Sequence, residues 1–143
     1  MNNDTSVQVL CFSLNNEIFA LHLADVLEVN ILPEVLSVHG PIKFIFGFIN
    51  LHGQNMPVIA LDKLLELETN NSPKELFIAV KTKQGPLCIL IDELLGFDEY
   101  NTSDMGIVDN LPYNIDIKYL KDVCIRTNSM ISVLNVDCLV SEK

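Results

Sequence analysis

The sequence predicts an all-β protein with short helices, folded as two small antiparallel β barrels that share one hydrophobic core. Three observations carry that prediction. Apolar runs of strand length recur along the chain, punctuated by turn residues. Short helix-like stretches follow several of these runs and open at an aspartate. A pattern of apolar strand followed by aspartate also occurs twice in the same order.

Residues 7–14 alternate loosely, Asn15 and Asn16 tolerate positive φ, and residues 17–21 resume the apolar run. That is the signature of a two-residue hairpin. Residues 23–29 read as a helix. A further hairpin pairs 48–51 with 56–61 around Gly53 and Gln54, and 62–67 is helix-like. Residues 76–81 then pair with 87–91 around Gly85 and Pro86, before a short helix at 92–95. The last hairpin pairs 123–126 with 130–136 around Asn128 and Ser129, and 137–140 closes as a helical turn. Asp25, Asp62, Asp92 and Asp137 are expected to cap first helical turns rather than to serve as general acids.

The aspartates mark a repeat. Asp62 and Asp137 are 75 positions apart, and at that offset Val58, Ile59, Ala60 and Leu61 lie over Val133, Leu134, Asn135 and Val136. Asp25 and Asp92 are 67 apart, so the second copy carries an insertion of 8 residues, placed within the polar stretch 98–118. Residues 68–73 have turn composition throughout, which puts the crossover between the halves near 68–74. Residues 98–114 read as an acidic, mobile loop.

At 143 residues with 49% apolar content, the chain is expected to form a single domain over 5–142 with a substantial core. No apolar run approaches the ~18 residues that span a bilayer; the longest, 44–51, is interrupted by Gly47 and Asn50. The first six residues lack the basic and apolar regions of a signal peptide, so a cytoplasmic location is expected. Net charge is −10, from 19 acidic and 9 basic residues, which argues against nucleic acid and against direct binding to an anionic membrane.

Cys11, Cys88, Cys124 and Cys138 sit in or beside apolar stretches and form no C-x-x-C pair. They read as small buried hydrophobes in a reducing compartment. His22, His39 and His52 are scattered singly, so no metal is expected, and no cofactor. The chain has no G-x-S-x-G, H-E-x-x-H or phosphate-loop motif. An enzyme is not expected. Residues 44–53 carry many large apolar side chains, and strand alternation would send half of them outward. Either a barrel covers each face, or one end of this hairpin is an interface.

The run Gly47-Phe48-Ile49-Asn50-Leu51-His52-Gly53-Gln54-Asn55-Met56-Pro57-Val58-Ile59-Ala60-Leu61-Asp62 resembles the most specific motif of the CheW-like domain family. That motif is a glycine, an apolar pair, Asn-Leu-Arg-Gly, then Pro-Val-aliphatic-x-Leu-Asp. The opening hairpin, Val26-Leu27-Glu28-Val29, Leu90-Ile91-Asp92-Glu93-Leu94-Leu95, Tyr119-Leu120 and the final hairpin with Asp137 resemble the rest of the family's order. The resemblance implies two five-stranded SH3-like barrels around a shared core. It also implies a non-catalytic adaptor that joins the regulatory domain of a CheA-type histidine kinase to the cytoplasmic helical tip of chemoreceptors.

Carried over by motif, Glu28, Gly47, Asn50, His52 and Gly53 fall on or beside the kinase-facing surface. Val26 and Leu90 fall near the receptor groove. Two positions depart from the pattern. His52 replaces the arginine that pairs with the glutamate corresponding to Glu28, and a glycine often found two residues after Tyr-Leu is Asp122. Arginine is permanently charged and binds carboxylates through two parallel bonds, whereas histidine is mostly neutral near pH 7. A weaker or pH-dependent link to the kinase is expected; the alternative is a solvated hairpin histidine. The departures also fit an adaptor of a divergent chemosensory system, such as one for surface motility. A stand-alone ligand-sensing domain built on the same barrels is the second functional class.

Overall fold

The computed structural model describes residues 6–37, 44–67, 73–101, 105–106, 115–126 and 129–139. Its strands are β1 (Ser6–Leu14), β2 (Glu17–His22), β3 (Val26–Ile31), β4 (Leu36–Ser37), β5 (Ile45–Leu51) and β6 (Gln54–Ile59). They continue with β7 (Leu76–Thr82), β8 (Gly85–Ile91), β9 (Glu93–Asn101), β10 (Met105–Gly106), β11 (Leu120–Arg126) and β12 (Ser129–Leu134). The first sheet has the order β10-β11-β12-β2-β1-β9 and the second β4-β5-β6-β8-β7-β3. Each holds five long strands and a two-residue edge strand, so the expected five-stranded units are present with a short sixth.

The two orders are the same list with the halves of the chain exchanged. Each hairpin β1–β2 or β7–β8 sits among strands donated by the other repeat. Among the described residues the parallel pairs are β12 with β2 and β6 with β8, and they mark where the donation occurs. Irregularities repeat too: β5 against β6 slips between Ile45 and Gly47, and β11 against β12 slips between Leu120 and Asp122, 75 positions later. The repeat visible in the sequence is therefore an intertwined duplication. The chain passes between sheets at the 3-10 turn Leu23–Asp25 and at Asp92. The stretch expected as a crossover, 68–74, joins β6 to β7 within one sheet, and its residues 68–72 lie outside the described residues. It separates the repeats but not the barrels.

Alternation explains why the strands read as nearly continuous apolar runs. Val9 and Cys11 point into the first barrel with Ala20, Tyr100, Cys124, Ile131 and Val133. Leu10, Phe12 and Leu14 on the same strand point the other way, into a core shared with Ile59, Ile78, Val80, Leu87 and Ile89 of the second sheet. Ile49, Met56, Val58, Phe77, Ala79, Cys88 and Leu90 fill the second barrel. A strand buried on both faces needs apolar residues at every position. Phe12 and Phe19 meet in the shared core at a ring separation of 6.0 Å.

Several local expectations are corrected. Residues 23–29 form one 3-10 turn and then β3, because Val26 and Val29 pair along β7. Residues 92–95 are not helical: β9 begins at Glu93 and pairs with β1 over its whole length. The helix α1 spans Leu61–Leu64 and ends at Glu66, whose φ of 55° closes it left-handed. The last turn is Val136–Cys138, capped by the Asn135 side chain rather than by Asp137.

Three of the aspartates tie distant turns. Asp92 Oδ2 accepts the Asn15 amide N–H at 2.7 Å, and Asp137 Oδ1 accepts that of Lys83 at 2.8 Å. Asp62 Oδ2 lies 3.5 Å from Asn15 Nδ2, and Lys74 Nζ is 3.0 Å from Asp92 Oδ1. The β1–β2 turn at Asn15 and Asn16 has φ of 51° and 69°, as its sequence implied. The β5–β6 turn is His52-Gly53, one residue earlier than expected, and that of β7–β8 is Lys83-Gln84. The residues expected at the tip of the last hairpin include Asn128, outside the described set. Of the expected loop 98–114, residues 98–101 continue β9 and 105–106 form β10; the rest lies outside the described residues. Among the described residues no helix is long and apolar enough to cross a membrane, and no His, Cys, Asp or Glu cluster could hold a metal ion.

Candidate functional site

The kinase-facing candidates gather at one end of the second barrel. The β5–β6 turn requires positive φ at two successive residues: His52 has 54° and Gly53 has 81°. Glycine takes that conformation freely. Asn50 Oδ1 accepts the Gly53 amide N–H at 3.1 Å and so shapes the turn that carries His52 outward. His52 Nε2 then lies 2.7 Å from Glu28 Oε1, with the histidine side chain 76% exposed and the glutamate 23%. Glu28 stands on β3, at the far edge of the sheet from β5, so this contact spans the seam of the barrel. The pair expected from the motif is formed.

Asn30 Nδ2 donates to the other carboxylate oxygen of Glu28 at 3.3 Å. The hydrogen bonds from His52 and then Asn30 hold the Glu28 carboxyl below the ordinary glutamate range. An Nε2–H can donate to that carboxylate from the neutral ring or from the imidazolium, and only the latter adds a charge. Behind it, burial, with the Glu28 charge adding, pushes the Cys88 thiol up to about 12. That cysteine is an inert packing group, as its apolar setting suggested.

Gly47 is not a surface contact. It is buried, and a β-carbon there would stand 2.5 Å from the Leu36 carbonyl oxygen and 2.6 Å from Val35 Cγ1. Its bare backbone lets residues 35–37 lie against β5, with Leu36 opposite Phe48, and Leu36 and Phe46 are both exposed apolar side chains. The groove candidates separate. Val26 is partly buried against the shared core at the start of β3. Leu90 is only 5% exposed and points into the second barrel, so it offers no docking surface.

Two features were missed from sequence. The register of β3 on β7 slips between Val26 and Glu28, leaving Leu27 half exposed next to Glu28. The register of β9 on β1 slips likewise at Gly96, whose φ is 112°, and leaves Leu94, Leu95 and Phe97 facing outward. Leu95, Gly96, Phe97 and Asp98 border, with Cys11, Ile18, Met130 and Ile131, a hollow of about 200 Å³. The available signal was Gly96 inside an apolar run, which marks a bulge in a strand. Each barrel thus uses a bulged edge strand to turn leucines toward solvent.

The model of the CheW-like domain matches residues 8–143 of the chain. The chain belongs to the CheW-like domain family. Among family relatives, the chemotaxis protein CheW of Treponema pallidum (strain Nichols) is 24% identical over 146 residues, covering 99% of this chain and 86% of that one. CheW of Thermotoga maritima is 23% identical over 138 residues, covering 94% and 88%. The crystal structure of the scaffolding protein TtCheW from Thermoanaerobacter tengcongensis superposes with a TM-score of 0.79 at 23% identity, covering 94% of this chain and 92% of that one. At that identity the likeness establishes the fold: the paired, intertwined barrels are those of the CheW family.

Proposed function

We propose that the chain is a non-catalytic adaptor that couples chemoreceptors to a CheA-type histidine kinase in chemotaxis signalling. The family match across residues 8–143 is the observation that carries this reading. The relatives similar to it over nearly their whole length are chemotaxis proteins, and the similar crystal structure is of a scaffolding protein. The kinase regulatory domain meets the end of the second barrel, where Glu28, His52 and Gly53 are presented at the seam with Asn50 supporting the turn and Gly47 seating Leu36. The receptor helix lies along the margin of the shared core near Val26. The chain works in the cytoplasm and reaches the membrane through its partners.

Isothermal titration of the chain with the regulatory domain of a CheA-type kinase tests the kinase contact. Glu28→Lys should abolish measurable heat, since it places a cation against His52 and removes the acceptor. His52→Arg should tighten binding by restoring a forked donor to Glu28. Equal affinity of the wild type, Glu28→Lys and His52→Arg chains, constant between about pH 5.5 and 8, would place the contact elsewhere.

A further inference from the structure

We propose that the open cleft beside the first barrel receives a partner helix through a neutral hydrogen-bond donor, an amide side chain, with His22 as the acceptor it meets; this step rests on the receptor-coupling reading above. The cleft, of about 640 Å³, is lined by Ser6, Val7, Gln8, His22, Leu23 and Ala24. Val7 packs on the interior of the first barrel and Leu23 on the core shared by both, so the cleft opens where the two meet. Val26, two residues beyond Ala24, packs on the same shared core. Mixed walls with a few placed polar groups suit a side chain that must be oriented as well as covered.

The ring of His22 is oriented from behind. Its Nε2 lies 3.2 Å from the Tyr100 hydroxyl, which in turn lies 3.4 Å from Asp122 Oδ2. The three side chains come from β2, β9 and β11, and the Tyr100–Asp122 contact spans the seam of this barrel as Glu28–His52 spans the other. Burial, then Asp122, raises the pKa of Tyr100, so the phenol keeps its proton. A carboxylate only accepts, so that proton is directed to Asp122 and the phenol oxygen accepts from His22 Nε2–H. This arrangement favours the Nε2–H tautomer of His22, which leaves Nδ1 as an acceptor without a partner among the described residues.

The charges around the ring are mixed. Burial and then Lys121 lower the pKa of His22, while Asp25 and Asp122 act in the opposite direction. A neutral ring faces the cleft at pH 7, with no net charge to attract an ion. A carboxylate would set one lone pair against another, whereas an amide N–H complements Nδ1. The device belongs to the first barrel alone. At the 75-residue offset Asp122 corresponds to Gly47, where the Leu36 backbone leaves no room for a side chain. The departure of Asp122 from the family's usual glycine acquires a purpose here.

The test titrates the full chain with a soluble cytoplasmic fragment of a methyl-accepting chemoreceptor, following binding affinity and the histidine ring ¹⁵N resonances. The free chain should show His22 as the Nε2–H tautomer, and the fragment should shift its Nδ1 resonance. His22→Gln keeps an N–H where Nε2–H stands and lacks the Nδ1 acceptor; it should weaken binding about tenfold, the scale of one unpaired buried donor. His22→Asn, which can set an oxygen at the Nδ1 position, should recover most of the loss. Unchanged affinity in His22→Gln, or an Nδ1–H tautomer in the free chain, overturns the His22 contact while leaving receptor coupling intact. Failure of the wild-type chain to bind the fragment overturns both.

Discussion

Replacing Gly47 with alanine separates a residue that supports an interface from one that touches a partner. The added β-carbon would stand 2.5 Å from the Leu36 carbonyl oxygen and 2.6 Å from Val35 Cγ1. Val35 can rotate away, but the Leu36 carbonyl belongs to backbone paired with β5, so residues 35–37 must retreat by roughly 1 Å to reach ordinary contact. Overpacking of this kind costs about 1–3 kcal/mol. The urea slope for a small protein is about 1–3 kcal/mol/M, so the unfolding midpoint should fall by on the order of 1 M with the slope unchanged. Urea titrations of both chains followed by circular dichroism measure this. A midpoint shift within error of zero, accompanied by lost kinase binding, would refute the packing role and make Gly47 a direct contact.

Phe12 is fully buried where the barrels meet, so Phe12→Ala should cost about 3–5 kcal/mol and lower a single cooperative transition rather than uncouple two; separate transitions by calorimetry would mean two independent cores. Cys11, Cys88 and Cys124 are buried and Cys138 is half-buried, so native alkylation should label Cys138 first and the others only on unfolding; mass spectrometry of the modified sites reads the order. The Glu28 carboxyl should titrate below an ordinary glutamate, and its contribution to the folded state should be present above the ordinary glutamate pKa and vanish as pH falls through the lowered one. His52→Ala should move its midpoint, followed by carboxyl ¹³C resonances, back upward; an unmoved midpoint would mean that the 2.7 Å contact does not persist in solution.

Much of this architecture was legible because local chemistry and global fold agree. Asn15-Asn16 sets a hairpin, and the 75-residue offset of Asp62 and Asp137 announced the duplication. What misled were β3 and β9, where a bulge breaks the alternation and consecutive apolar residues imitate a helical face. The roles of the aspartates were hidden for another reason. Asp92 meets Asn15 across 77 positions and Asp137 meets Lys83 across 54, so only the intertwined topology creates the contacts. Glu28 and His52 were paired through a motif and not through periodicity. The same motif could not reveal that Leu90 faces inward, because a strand buried on both sides carries no polar marker of its outer face.

Reconstituted co-sedimentation tests the adaptor account most directly. Membranes bearing a chemoreceptor are mixed with a CheA-type kinase, with and without this chain, and pelleted. Coupling predicts that the kinase pellets only when the chain is present, and that Glu28→Lys leaves the chain on the membranes while the kinase stays in solution. Kinase that pellets equally without the chain, or that remains soluble with it although the chain itself pellets, would contradict the account.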